Sequence, residues 1–232
     1  DRSVNIIMKI TIRNIDEPIE FSEEYVSTLE VRNKYLFREI INCLVRSQFE
    51  KHEYEIVNFD DGAALSDRLI IVSDVMSFDV SSRKIISEMY KQLMDMIDND
   101  VLKNMVKMET ILERIGAFAE DSLNFDINYR TDFDLNNFLK LLKIEPSIAS
   151  EYDIKQRVYG IIELINSLFD NKIICFMNLK QLITKEEFSE IVKTCLSKKQ
   201  LVWFIESNKS FVNTSESIIV VDDDLYTYKQ NR

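Results

Sequence analysis

Acidic side chains follow two apolar runs of the sequence that are typical of buried strands. Asp74 and Asp79 come after the run at residues 69–72, and Glu206 follows the run at residues 201–205. In open α/β sheets, ligands bind beyond the carboxyl ends of the strands. Three carboxylates there could hold a divalent metal for a nuclease or a nucleotidase. This hypothesis predicts magnesium-dependent cleavage that is lost in Asp74→Ala.

A second acidic group lies in the segment FDINYRTDFD, at residues 125–134 between two helical patterns. Its oxygen-bearing side chains are of the kind that calcium prefers: Asp126, Asp132 and Asp134, with Asn124 and Asn128 nearby. The alternative is a polar loop between helices that binds no metal. On the residues alone, both interpretations stay open.

Several common catalytic and cofactor motifs are missing from the sequence. The three glycines, Gly62, Gly116 and Gly160, are too scattered for a phosphate-binding loop. This argues against an ATP- or NAD-binding enzyme, because the backbone of such a loop must approach phosphate closely. The single histidine, His52, stands among charged residues and is predicted to be solvated. No serine or cysteine nucleophile can therefore be paired with a buried histidine base.

The cysteines predict a reducing environment. Cys43, Cys175 and Cys195 are widely spaced and form no CxxC pair, so we expect buried free thiols. Charged residues interrupt every apolar run before it reaches membrane-spanning length, and no signal peptide is visible. We therefore expect a cytoplasmic protein.

The elements that must position these residues alternate between strands and helices. Apolar runs predict strands at residues 9–12, 25–31, 54–59, 69–72, 172–177, 201–205 and 218–221, and a helix at 33–49. Thr184 and Glu187 form a capping box that opens a further helix. Strand, helix and strand in succession indicate parallel pairing through right-handed crossovers. The predicted fold class is α/β.

A long helical segment interrupts this pattern. Ser81 or Ser82 is expected to cap its first helix, and Thr131 or Asp132 a later one. The segment is rich in methionine, which is typical of adaptable contacts between helices or subunits. We predict an α-helical leg domain at residues 82–150, inserted in a head domain formed by residues 1–81 and 151–232.

Charge limits the classes of partner. The 29 basic and 40 acidic residues give a net charge of −11, which argues against a generic nucleic-acid-binding protein. It does not exclude a protein whose basic groups are concentrated on one surface.

Three stretches, in order, resemble the ring-forming adaptation protein of type II-A CRISPR systems. They are DEPI at residues 16–19, LIIVSDVMSFDVSS at residues 69–82 and IICFMNLKQLITKEE at residues 173–187. The order of elements is similar over nearly the whole chain. The resemblance implies an α/β head with a parallel-rich sheet, similar to a P-loop ATPase without its nucleotide site, carrying an inserted helical leg.

The resemblance also implies a function. Members of this family are non-enzymatic and take part in acquiring new spacers, and four copies form a ring that encloses double-stranded DNA ends. Calcium supports the assembly. The implied partners are DNA ends, further copies of the chain, the integrase complex and the effector nuclease.

Basic residues of the leg are the best candidates for DNA contacts. Lys140 and Lys143 stand where the family carries lysines, and we prefer the leg residues over Lys198 and Lys199. The predicted set is Arg83, Lys84, Lys91, Lys140 and Lys143. A solvated helix face is the alternative for each.

The calcium loop departs from the family pattern. Related members resemble DLEYDE where this chain reads DINYRTD. Asp126 is kept, Asn128 replaces an acid, and Arg130 stands where another acid is expected. This departure either removes the site or moves it to Asp132 and Asp134.

One further interpretation stays open beside DNA binding. A protein-interaction module of the adaptation complex would dock its methionine-rich leg on protein partners without touching DNA. It predicts no salt-dependent DNA binding.

Overall fold

The computed structural model describes residues 6–49, 56–132, 134–149 and 151–230. The chain divides into two compact units. One contains Asp1–Asp79 and Ile148–Arg232, and the other contains Val80–Ser147. Within the described ranges, no helix combines the length and apolar character needed to cross a bilayer. His52 lies outside these ranges.

Nine strands occur in the described residues, all of them in the first unit. They are β1 (Ile6–Ile12), β2 (Ile19–Ser22), β3 (Val26–Val31), β4 (Val57–Phe59), β5 (Leu69–Val72), β6 (Ile173–Met177), β7 (Leu201–Glu206), β8 (Glu216–Val221) and β9 (Thr227–Gln230).

Helices connect these strands and build the second unit. They are α1 (Lys34–Ser47), α2 (Leu65–Arg68), α3 (Arg83–Asp95), α4 (Asn99–Ser122), α5 (Leu135–Leu142), α6 (Ile154–Leu168) and α7 (Lys185–Ser197), with a short 3₁₀ helix at Leu179–Gln181.

The larger sheet confirms the predicted α/β class. Its strand order is β5-β6-β7-β3-β8-β9. The first five strands in this order pair in parallel, and β9 pairs antiparallel to β8. Every residue of β3, β6 and β7 is buried, as expected for strands covered on both faces.

A smaller sheet was not predicted as a separate element. It has the order β2-β1-β4, and both pairings are antiparallel. Its apolar side chains and those of α1 pack against one face of the larger sheet around Trp203. Phe21 of β2 meets Trp203 edge to face, with the ring centroids 6.0 Å apart. This contact joins the two sheets in one core.

The opposite face of the larger sheet is covered by α7, with α6 packed beside it. Phe188 of α7 lies 4.9 Å from Phe204 of β7 between ring centroids. The predicted capping box is confirmed, since Thr184 and Glu187 each accept a backbone hydrogen bond from the other's residue. The three cysteines are buried free thiols, also as predicted.

The chain leaves the first unit after β5 and returns to it before α6. On α6, the Arg157 guanidinium donates hydrogen bonds to the carbonyl oxygens of Val75 (3.2 Å) and Met76 (3.1 Å). Asp153 begins α6 with a capping box of its own, formed with Gln156. The departing and returning segments are thus held together within the first unit.

One predicted helix cap is wrong, and another has the predicted position without the hydrogen bond. Ser82 precedes α3, but its side chain makes no capping hydrogen bond. The cap of α5 is Asp134, whose carboxylate accepts from the backbone of Asn136 and Asn137, and not Thr131 or Asp132. The error at α5 is one of position, because several residues near the helix start carry suitable oxygens.

In the second unit, α4 is exposed along nearly its whole length. Gly116 is the one buried residue of its 24 positions. Its exposed large apolar side chains are Val101, Leu102, Val106, Ile111, Ile115 and Phe118. Ile111, Ile115 and Phe118 follow one another at helical spacing, so they form a continuous apolar stripe.

Candidate nucleic-acid interface

A groove between α3 and α5 lies wholly within the second unit. Its volume is about 580 Å³. Four of the five basic residues predicted to bind DNA line it: Arg83, Lys91, Lys140 and Lys143. Lys84, the fifth predicted residue, does not line the groove, because it is turned about 100° around α3 from Arg83.

Helical spacing explains the polar rims of the groove. On α3, Arg83, Ser87 and Lys91 follow at intervals of four residues, a row about 12 Å long at 1.5 Å per residue. On α5, Asn136 and Lys140 are also four residues apart. Lys143 follows α5 in a left-handed backbone conformation (φ 51°). Each helix therefore contributes one polar rim.

The floor between these rims is apolar. Ile86, Tyr90 and Met94 form a second row along α3, and Ile144 closes the groove beyond α5. The Tyr90 hydroxyl donates a buried hydrogen bond of 3.1 Å to the carbonyl oxygen of Leu139. This bond joins α3 to α5 beneath the groove.

The charge of the groove is opposite to that of the chain. Glu145 is the one acidic residue in its lining, so four cations leave a net charge of +3. Lys91 forms an exposed ion pair with Glu88 at 3.4 Å. For Arg83, Lys140 and Lys143, no carboxylate of the described chain lies within ion-pair distance.

Lys198 and Lys199, the less preferred candidates for DNA contact, do not line the groove. Lys198 pairs with Glu163 at 2.8 Å, and Lys199 pairs with Glu23 at 3.0 Å. Their charges are already partly balanced by protein carboxylates, whereas those of Lys140 and Lys143 are available to an anion.

The predicted calcium ligands do not form a cluster. Asp126, Asn128, Asp132 and Asp134 are all exposed. Across the described ranges, no three Asp, Glu, His or Cys residues are grouped so that they could hold a metal ion. Asp134 uses Oδ1 to cap α5. In one chain these carboxylates form no preformed cluster for a calcium ion, and calcium binding stays a prediction.

The acids at the strand ends also do not converge. Asp74 follows β5 and accepts hydrogen bonds from the Met76 amide (2.9 Å) and the Ser77 hydroxyl (2.7 Å). These bonds hold the pKa of Asp74 below its usual range. Glu206 ends β7, which is separated from β5 by β6 and therefore lies about 10 Å away across the sheet. Asp79 is exposed.

A buried polar network occupies the face of the larger sheet that α7 covers. The Lys180 ammonium forms an ion pair with Glu216, and both side chains are fully buried. The Thr28 hydroxyl donates to the same carboxylate. Lys180 also donates to the carbonyl oxygen of Phe211 at 3.2 Å. These bonds fix the connection between β7 and β8.

Glu206 is the member of this network whose carboxylate is only partly hydrogen-bonded. Its Oε1 accepts a hydrogen bond from the Lys180 amide at 3.0 Å, while Oε2 has no partner among the described residues. Burial raises the pKa of Glu206 to about 7. The nearby carboxylates of Glu216 and Glu30 act in the same direction, and the Lys180 amide and ammonium oppose them.

The connection from β3 to α1 leaves no room for a phosphate-binding loop. Arg32 and Asn33 are the two residues between them. Asn33 Oδ1 accepts hydrogen bonds from the amides of Tyr35 (3.1 Å) and Leu36 (3.0 Å). The amide groups that would bind an anion at this helix start are therefore occupied by the protein itself.

Sequence reasoning missed the floor of the groove. Ile86 and Tyr90 follow a helical apolar pattern, which by itself predicts packing against another helix. Ser87 and Asn136 carry no charge, so they do not belong to a basic pattern in the sequence. Each lies four residues from a basic residue, Arg83 or Lys140, and therefore on the same rim. The i, i+4 spacing of polar residues was the signal that could have found them.

The raised pKa of Glu206 predicts how stability depends on pH. The folded protein keeps this proton between about pH 5 and pH 7, where the unfolded chain has released it, so the free energy of unfolding falls as pH rises through this range. The expected loss is up to about 3 kcal/mol. Glu206→Gln should remove it in urea unfolding measured from pH 5.5 to 8. Glu186→Gln, an exposed control, should retain the loss; equal pH dependence in both variants would contradict the assignment.

Known proteins are similar to this chain in sequence and in fold. A family model described as CRISPR-associated protein (Cas_Csn2) matches residues 48–225. The chain is 21% identical over 229 residues to the CRISPR-associated protein Csn2 of Streptococcus agalactiae, covering 97% of this chain and 99% of that protein.

Solved structures were compared as well. The chain is similar to Stu0660 of Streptococcus thermophilus, with a TM-score of 0.63 and 12% identity over 93% of this chain and 75% of that one. A nucleotide-free ATP-binding cassette from an ABC transporter matches with a TM-score of 0.48 and 12% identity, over 97% of this chain and 92% of that one. The likeness to Stu0660 shows the fold. Since the family model covers most of the sequence, the protein belongs to the CRISPR-associated Csn2 family of type II-A CRISPR systems.

Proposed function

We propose that this protein is a non-catalytic component of spacer acquisition that binds double-stranded DNA ends through the groove between α3 and α5. The carrying observation is the gathering of Arg83, Lys91, Lys140 and Lys143 around one groove in a chain with a net charge of −11. Basic residues are 29 of the 69 charged residues in the sequence (29 basic and 40 acidic), but they are four of the five charged residues that line the groove.

An acidic chain can bind a polyanionic ligand when its basic residues are gathered around the binding site. Screening at physiological salt acts over about 8 Å, so a phosphate in the groove responds mainly to the lining. Each phosphate that a lysine or arginine neutralises also releases counterions. The contacts are to the backbone, and they position DNA without reading its sequence.

The exposed surface of α4 supports assembly into a homotetrameric ring. A stripe that contains Ile111, Ile115 and Phe118, with exposed fractions of 48%, 59% and 72%, is costly to leave in water. When further copies of the chain pack on this stripe, its exposure to water and the free-energy cost of that exposure are removed. A ring of four copies also presents four basic grooves to one duplex, so a few cations per chain suffice.

Calcium supports this assembly through the loop that contains Asp126, Asp132 and Asp134. Because the carboxylates of one chain do not form a cluster, the ion would require either a rearranged loop or ligands from a second copy. Further partners in this proposal are the integrase complex and the effector nuclease.

The apolar stripe of α4 also favours a second candidate function. In that case α4 docks on another adaptation protein, and the chain is an interaction module without direct DNA contact. The two functions differ in one property, which is salt-dependent binding to purified DNA.

The groove lysines provide the first test. Lys140→Gln/Lys143→Gln should raise the Kd for a linear duplex about tenfold or more, because two phosphate contacts per chain are lost. The slope of log K against log salt should also become shallower by at least about one unit. Fluorescence anisotropy at several salt concentrations measures both quantities.

The matched control changes net charge equally outside the groove. Lys198→Gln/Lys199→Gln removes two lysines that already pair with Glu163 and Glu23. It should leave both the Kd and the slope within about twofold of the unmodified protein. Equal weakening in the two variants would mean that overall charge, and not the groove, governs binding.

The calcium proposal has a separate test. Asp126→Asn should reduce the calcium-dependent increase in assembled mass, because it removes one charged ligand. Asp95→Asn, an exposed change on α3, is the control and should leave the response intact. Sedimentation velocity with and without calcium measures the mass, and an unchanged response in Asp126→Asn removes this residue from the ligand set.

A further inference from the structure

The groove between α3 and α5 has a feature that backbone contacts do not require. Basic rims alone can hold the phosphates of a duplex, yet this groove also has an apolar floor of Ile86, Tyr90, Met94 and Ile144. The Tyr90 hydroxyl is already bound to the Leu139 carbonyl oxygen and Tyr90 is buried, so Met94 and Ile144, which are 40% and 36% exposed, provide most of the accessible apolar surface.

A base-paired duplex does not match such a floor. Its phosphates lie outside and its base faces are stacked inside, so it can contact the rims but has no apolar surface to place between them. The groove volume of about 580 Å³ is that of a site for a nucleotide-sized ligand rather than for a single phosphate.

Unpaired nucleotides match both parts of the groove. A single strand carries a charged backbone together with exposed base faces, and proteins that bind single strands combine a cationic groove with apolar or aromatic side chains. The α3 rim is about 12 Å long, which accommodates about three nucleotides at the 3.4 Å spacing of stacked bases.

We propose that the groove between α3 and α5 binds the unpaired nucleotides of a DNA end with a short single-stranded overhang, the backbone lying along the basic rims and the bases on the apolar floor. This inference rests on the proposed function, since it assumes that DNA reaches the groove. Because an apolar floor does not read base edges, the preference is for an overhang and not for its sequence.

The experiment compares three labelled duplexes with the same core sequence. One has blunt ends, one carries three unpaired thymidines, and one is extended by three base pairs to control for the added phosphates. Fluorescence anisotropy at one salt concentration gives each Kd. The overhang should bind about five- to tenfold more tightly than either blunt duplex.

Paired variants locate the preference in the floor. Met94→Gln/Ile144→Gln replaces two partly exposed floor residues without changing charge. It should reduce the advantage of the overhang to less than about twofold and leave the Kd of the blunt duplex unchanged. The control, Met96→Gln/Leu141→Gln, changes residues that are 74% and 76% exposed and do not line the groove. It should keep the full advantage.

Each outcome decides a different claim. Equal affinity for the overhang and the blunt duplexes overturns this inference and leaves the proposed function standing. An overhang advantage that survives in Met94→Gln/Ile144→Gln overturns the assignment to the groove. No binding to any of the three duplexes overturns both the inference and the proposed function.

Discussion

The buried ion pair between Lys180 and Glu216 is the interaction on which the order of the first unit depends. A lysine and a glutamate without solvent access are costly unless further polar groups complete their hydrogen bonds. Thr28, the Phe211 carbonyl group and the Asn213 amide provide those groups. The Lys180 ammonium also lies 4.6 Å from the centroid of the Phe188 ring, a cation–π contact. One lysine thereby connects β3, β8, α7 and the segment after β7.

Polar groups at the carboxyl edge of the larger sheet are engaged in hydrogen bonds within the protein. In open α/β folds that edge usually binds the ligand. Here Glu30 receives hydrogen bonds from Arg32 and Ser210, and Asn33 caps α1, so charges and amides are used internally. The structure favours a scaffold role for the larger sheet, and the basic groove lies in the inserted second unit.

The local features of the fold could be predicted from the sequence. The run of Leu69–Val72 is apolar and mostly β-branched, which favours a buried strand, and three of its four residues are buried. The spacing of Thr184 and Glu187 predicted their capping box. The features that depend on distant pairing could not. Lys180 and Glu216 are 36 residues apart, and Thr28 lies 188 residues before its partner. The edge strand β9, with the sequence TYKQ, has no apolar alternation to reveal it.

The candidate site also combines features that the sequence predicted with features that it did not. Four of the five basic residues predicted from the leg and from the family's lysines line one groove, and their role in DNA binding stays a prediction. The floor was missed, since an apolar row such as Ile86, Tyr90 and Met94 looks identical whether it is core or the base of a groove. Spacing along a chain does not establish convergence in space: the acids of the loop form no cluster in one chain and Asp134 caps α5, so calcium binding stays a prediction.

The proposed ring would enclose DNA that threads into it from a free end. Its most direct test is the binding of one duplex prepared as linear and as covalently closed circular DNA, with the mass of the protein recorded. We expect a tetramer that binds the linear form and leaves the closed circle free; equal binding to both forms would rule out threading from an end.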